Sequence, residues 1–232
     1  MVWLFIQSAG MGLSLARSVC DLGLIPGELT LRLPSGTPFP MGDGIVCLTD
    51  PGRQVSHVFT SMFLHGSWMH LIGNMWFLWI FGNNIEDSMG HARFVVFYLL
   101  SGVTAALVQV AVNPASGIPM VGASGAISGV MGAYLVLYPR VRVWTLVPIG
   151  FFLTSIALPA WTMLLYWMAL QFLSGIVGLF GQEKGGVAVW AHIGGFVAGV
   201  VLIKIFARPG DVAARESHPW RPQGRIREGW GA

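Results

Sequence analysis

Ser124, within Gly122-Ala123-Ser124-Gly125, and His192, within Ala191-His192-Ile193-Gly194-Gly195, both stand in apolar stretches of membrane-crossing character. A hydroxyl and an imidazole that meet in such a place form a nucleophile and its general base, and an ionisable group at membrane depth implies function by default. His70 and Asn74, four residues apart, share one face of a third apolar stretch and offer hydrogen-bond donors. The deep polar set is read as His70, Asn74, Ser124, Ser128 and His192, with Ser128 an ordinary packing residue. No Asp, Glu or Arg lies within the stretches away from their ends. That argues against a paired-aspartate protease and against a zinc enzyme with a carboxylate base. His65 and His70 are five apart and poorly placed for one helix face, so neither a metal nor a cofactor is expected.

The whole chain supports a membrane setting. Its 232 residues are 54% hydrophobic and 10% charged, with a mean hydropathy of +0.68, whereas a soluble domain carries about a quarter charged residues. Thirteen Lys and Arg stand against ten Asp and Glu, and the bases are clustered. The excess therefore reports orientation, and no nucleic-acid partner is expected. Cys20 and Cys47 have no metal-ligand spacing and are read as two small hydrophobes outside the mechanism.

Apolar runs of helical length predict six spans, at about 1–17, 67–82, 92–112, 123–138, 154–180 and 187–207, and no internal repeat. The fold class is thus an all-α polytopic membrane protein. The first span is short: residues 1–16 fall below the roughly 20 that cross a hydrocarbon core, so it is either tilted or lacks upstream residues. The start has no basic segment or small-residue cleavage site, which argues against a cleavable signal peptide. Arg93, Arg140, Arg142, Lys204, Arg208, Arg215, Arg221, Arg225 and Arg227 follow spans two, four and six, which places those segments in the cytoplasm. Residues 18–66 become a long outer connection lying in the interface, and 209–232 a disordered polar tail after a membrane domain of 1–208.

Depth follows from counting. Ser124 lies sixteen residues before Arg140 and His192 sixteen before Arg208, about 24 Å above each cytoplasmic anchor at ~1.5 Å per residue. The two groups share one height, below the outer face of a core about 30 Å thick. Gly125-x-x-x-Gly129 and Gly195-x-x-x-Gly199 begin within three residues of them and let two helix backbones come close. Asn113-Pro114 through Pro119 cannot continue a helix, so the fourth span starts below the surface. Irregular backbone there must be protein-buried or line a wet cavity, and a helix N-terminus beside it supplies free N–H groups for an oxyanion.

At these residues the chain resembles the rhomboid family of intramembrane serine proteases. The match runs through His65-Gly-Ser-Trp-Met-His70-Leu-Ile-Gly-Asn74, Gly122-Ala-Ser124-Gly125 and Ala191-His192-Ile-Gly194-Gly195-Phe-Val-Ala-Gly199, over most of residues 55–205. The resemblance implies a rhomboid-like six-helix bundle with a membrane-embedded outer loop and span five as lateral gate. It implies Ser124 as nucleophile, His192 as base in a dyad without a third acid, and His70, Asn74 and the Ser124 N–H as oxyanion donors. Gly122, Gly125, His65, Gly195 and Gly199 would support them, His65 by organising the outer loop. Two departures are a short first span and no evident Trp-Arg pair in that loop. The implied partners are single-span or polytopic membrane-protein substrates in a lipid bilayer, and the most economical placement is a bacterial inner membrane with the site opening outward. A non-catalytic rhomboid-like binder of transmembrane segments is the first alternative. A small transporter is disfavoured by the missing repeat and buried carboxylates.

Overall fold

Backbone groups that lose water must bond within their own segment, so long apolar runs bounded by Gly, Pro and Asn clusters fold as helices. The computed structural model describes residues 12–42, 45–149, 152–180 and 188–212. The order is α1 (Gly12–Leu22), α2 (Pro26–Leu29), a hairpin of β1 (Pro38–Gly42) and β2 (Ile45–Leu48), α3 (His57–Thr60) and a 3₁₀ turn (Ser61–Phe63). Next come α4 (Trp68–Phe77), a π segment (Leu78–Gly82), α5 (Asn83–Asp87), α6 (His91–Val112) and α7 (Ser124–Leu137). A second hairpin of β3 (Arg142–Ile149) and β4 (Phe152–Pro159) leads to α8 (Ala160–Phe180) and α9 (Val189–Phe206).

Three described helices are long and apolar enough to cross a membrane: His91–Val112, Ala160–Gly178 and Val189–Phe206. Ser124–Leu137 is a shorter apolar helix, as the preceding Pro-rich segment requires. It forms the centre of the bundle, buried continuously from Gly125 to Tyr134. Its neighbours are α6 and α9, and the seam is built from missing side chains. A Cβ on Gly195 would overlap the Gly125 carbonyl, one on Gly199 the Gly129 carbonyl, and one on Gly132 the Phe196 carbonyl. The small-residue faces thus put the two backbones in direct contact. Below the seam, Phe81, Ile85, Met89, Phe97, Tyr134 and Ile203 fill the core.

Two expectations need correction. The fifth helix begins at Ala160, because residues 154–159 lie in β4 and pair with β3, from Arg142 against Pro159 to Ile149 against Phe152. Hydropathy cannot separate a short apolar strand from a helix, and the β-branched and aromatic content of Val143, Trp144, Thr145, Val147 and Ile156 favours the strand. Cys20 and Cys47 are joined in a disulfide, their Cα atoms 5.6 Å apart, so they are not merely two small hydrophobes. Their separation of 27 residues carries no recognisable spacing, and only the packing of α1 against β2 brings them together. The outer connection is packed against the bundle. Its Leu24, Ile25, Pro26, Gly27 and Glu28 are buried, and Leu24 and Met120 exchange backbone hydrogen bonds at 3.0 and 2.8 Å.

The first span falls largely on residues 1–11, outside the described residues, and the helix from Gly12 runs on to Leu22 rather than ending at 17. At the other end a helical turn covers 209–212 of the expected tail, and the rest of that segment lies outside the described residues.

The seam yields a stability prediction. Gly199→Val forces a branched side chain against the Gly129 carbonyl and is expected to cost about 1–3 kcal/mol or more. Gly178→Ala, where nothing lies within 4 Å, should stay within about 0.5 kcal/mol of the parent. Thermal unfolding in detergent reads both.

Candidate active site

Ser124 opens α7 with no side-chain cap before it, and the first i→i−4 bond of the helix runs from Ile127 N–H to the Ala123 carbonyl at 3.0 Å. The N–H groups of Ser124, Gly125 and Ala126 therefore have no intrahelical acceptor and collect at the positive end of the helix. Ser128 donates back to the Ser124 carbonyl at 2.7 Å, the packing role expected of it.

His192 sits in the first turn of α9, buried to 8% exposure. Its Nε2 lies 2.8 Å from Ser124 Oγ. On the other side of the ring, Nδ1 lies 2.9 Å from Gln171 Oε1 on α8. A carboxamide oxygen only accepts, so Nδ1 carries the proton, and Nε2 is left to accept from the Ser124 hydroxyl. The Trp167 ring, one turn before Gln171, lies 5.6 Å from the imidazole. From α6, Gln109 Oε1 accepts the Ala191 N–H at 3.1 Å and so caps the turn that carries His192. The deep polar set was incomplete. Gln109 and Gln171, neutral residues within apolar runs, belong to it as well, since a carboxamide inside a hydrocarbon run is itself a signal of an interhelical bond.

Opposite this pair, Ser67 caps α4 by accepting the His70 N–H at 3.1 Å, which fixes His70 in the first turn and Asn74 one turn later. Both reach the strand of chain that precedes Ser124. A Cβ on Gly122, whose φ is +123°, would stand 2.7 Å from His70 Nε2 and 3.7 Å from Asn74 Nδ2. Only glycine fits there, for conformation and for space. The Gly122 N–H is bonded to the Ser61 carbonyl at 2.9 Å. Asn74 Nδ2 is buried with no hydrogen-bond partner among the described residues. A buried amide donor left open toward a free helix N-terminus is an arrangement that an incoming oxygen would complete.

His65 packs edge-on against His70 at 5.2 Å and is 1% exposed. Burial first, then the neighbouring His70, pushes its imidazole down to about 4, against a hydrogen bond to the Phe63 backbone. It is neutral at pH 7 and supports the ring that faces Gly122. No group of three or more metal-ligating side chains occurs among the described residues.

Residues 52–209 match the Rhomboid domain family. The chain is 31% identical over 178 residues to Rhomboid-like protease 5 of Toxoplasma gondii, covering 74% of this chain and 18% of that protein. It is 32% identical over 157 residues to the chloroplastic Rhomboid-like protein 11 of Arabidopsis thaliana, covering 64% and 51%. It is 31% identical over 150 residues to Rhomboid protease GlpG of Haemophilus influenzae, covering 64% and 66%. The chain belongs to the rhomboid family and is an integral membrane protein. It spans less than two thirds of the length of each of these relatives.

A pH dependence follows from His65. The native ring stays neutral to about pH 4 while the unfolded one takes a proton near 6.5, so stability is lost as pH falls from about 6.5 toward 4. His65→Gln should lower the thermal midpoint at pH 7 and flatten part of its decline between pH 7 and 4.5.

Proposed function

We propose that the chain is an intramembrane serine endopeptidase that cuts transmembrane or juxtamembrane segments of membrane proteins. The observation that carries this reading is the 2.8 Å contact between Ser124 Oγ and His192 Nε2. In the first step Ser124 Oγ attacks the scissile carbonyl carbon and its proton passes to His192 Nε2. The carbonyl oxygen becomes an oxyanion facing Asn74 Nδ2, His70 Nε2 and the Ser124 N–H. The C–N bond then breaks as His192 returns the proton to the leaving amine. Water, deprotonated by the same nitrogen, attacks the ester, and collapse releases the acid and restores the Ser124 hydroxyl.

The substrate is a membrane-spanning segment that arrives laterally. Helical hydrogen bonds shield its scissile carbonyl, so segments with small or helix-breaking residues, which unwind cheaply, are preferred. The membrane domain of this reading is 1–208, built as six helices with a polar tail from 209, and the site opens on the extracytoplasmic side of a bacterial inner membrane. The relatives named Rhomboid-like protease 5 and Rhomboid protease GlpG support proteolysis as the activity.

Reconstituted protein, a panel of single-span substrates and mass mapping of the products test the reading. Wild type should cut within or beside the span and react with a fluorophosphonate, while Ser124→Ala and His192→Ala should do neither. Asn74→Ala is expected to lose about 10²–10³ in rate, as when one oxyanion donor is removed. Full cleavage by Ser124→Ala would end the proposal, and a wild type inert to both reagents would point to the non-catalytic binder.

A further inference from the structure

We infer that Gln171 is a positioning residue for the base, and that seating α8 against α9 is what orients His192 for proton transfer. The inference rests on the proteolytic reading above for its catalytic consequence, and on the structure alone for its effect on the ring. Gln171 Oε1 lies 2.9 Å from His192 Nδ1 and Trp167 packs on the same ring. The two are four residues apart and so share one face of α8.

Neutral imidazole in water exchanges between two tautomers, and only the form protonated on Nδ1 can take the Ser124 proton at Nε2. A fixed acceptor at Nδ1 selects that form. Gln171 does this without bringing a charge, so it orients the ring but does not stabilise the imidazolium as a carboxylate would. Among the described residues the surroundings supply no substitute. Neither α7 nor α8 contains a charged residue, α6 and α9 carry His91, Arg93 and Lys204 near their helix ends, and α4 contributes His70.

The helix that carries this acceptor is also the most loosely enclosed of the three long ones. Within its apolar window 17% of residues are buried, against 39% for His91–Val112 and 44% for Val189–Phe206. Displacement of α8 would therefore remove Gln171 and Trp167 from the ring together while the α7–α9 glycine seam stayed closed. Access to the site along α8 and competence of the base are coupled through these two side chains.

The test compares wild type with Gln171→Met, which keeps the volume and removes the acceptor, and Gln171→Glu, which restores an acceptor with charge. The ¹⁵N NMR spectrum of histidine-labelled protein in nanodiscs should show His192 with its proton on Nδ1 in wild type and a tautomer mixture in Gln171→Met. The His192 signal is identified by its loss in His192→Gln. Recording the same spectra in Ser124→Ala separates the two readings, because the tautomer result does not depend on cleavage. Fluorophosphonate labelling should slow at least about tenfold in Gln171→Met. In Gln171→Glu it should recover, with the acidic limb of its pH profile moved up by about one unit. An unchanged tautomer in Gln171→Met would overturn the inference, as would equal losses in both variants with an unmoved acidic limb.

Discussion

The Ser124–His192 contact depends on two helix backbones touching. Ser124 and His192 have short side chains on different helices, and a 2.8 Å contact between them requires α7 and α9 to lie closer than ordinary side chains permit. Glycines 125, 129, 132, 195 and 199 remove the obstacle, and at each of them a single added carbon would meet backbone or side-chain atoms of the neighbouring helix. Apolar side chains gain little by leaving lipid for protein, so close backbone packing takes the place of the hydrophobic effect in holding this pair. The Ser124–His192 contact and the helix association are two consequences of one seam.

A second constraint concerns the backbone before Ser124. A helix that begins below the membrane surface exposes its first N–H groups and the chain leading to them, and both need partners. The outer lobe supplies them. Leu24 pairs with Met120, Gly27 N–H reaches the Ser116 carbonyl at 2.9 Å, Thr30 Oγ1 reaches the Pro114 carbonyl, and Ser61 accepts from Gly122. The Cys20–Cys47 bond ties α1 to β2 in the same lobe. The bonds of this strap leave the Ser124 N–H and Asn74 Nδ2 untouched, so polar capacity remains open beside Ser124.

Much of this was legible in the sequence because it is written as rare residues in a monotonous background. A histidine, an asparagine or a Gly-x-x-x-Gly pair stands out where nearly everything else is Leu, Val, Phe or Ala, and counting residues to the nearest arginine gave a common depth for Ser124 and His192. What escaped had no such contrast. The β3–β4 hairpin is as apolar as a helix, and its β-branched and aromatic content is a weak signal beside the pairing of residues such as Trp144 and Ala157. The disulfide depends on a tertiary approach across 27 residues. Gln109 and Gln171 were visible, but their partners, the Ala191 N–H and the His192 ring, lie 82 and 21 residues away, and distance along the chain hides a bond of that kind.

Sidedness is where independent physical effects converge. In the proposed topology the excess of Arg and Lys after the second, fourth and sixth apolar runs assigns those segments to the cytoplasm, an argument about electrostatics during insertion. The disulfide, an argument about redox chemistry, falls in the segment assigned to the opposite side, and such bonds persist where thiols are kept oxidised. Ser124 and His192 stand at the N-terminal ends of α7 and α9, the ends assigned to that same side. Charge, redox state and helix direction share no common cause, and an inverted orientation would violate the first two at once. In the proposed orientation Ser124 faces the compartment in which the strap that shapes its surroundings can be covalently locked.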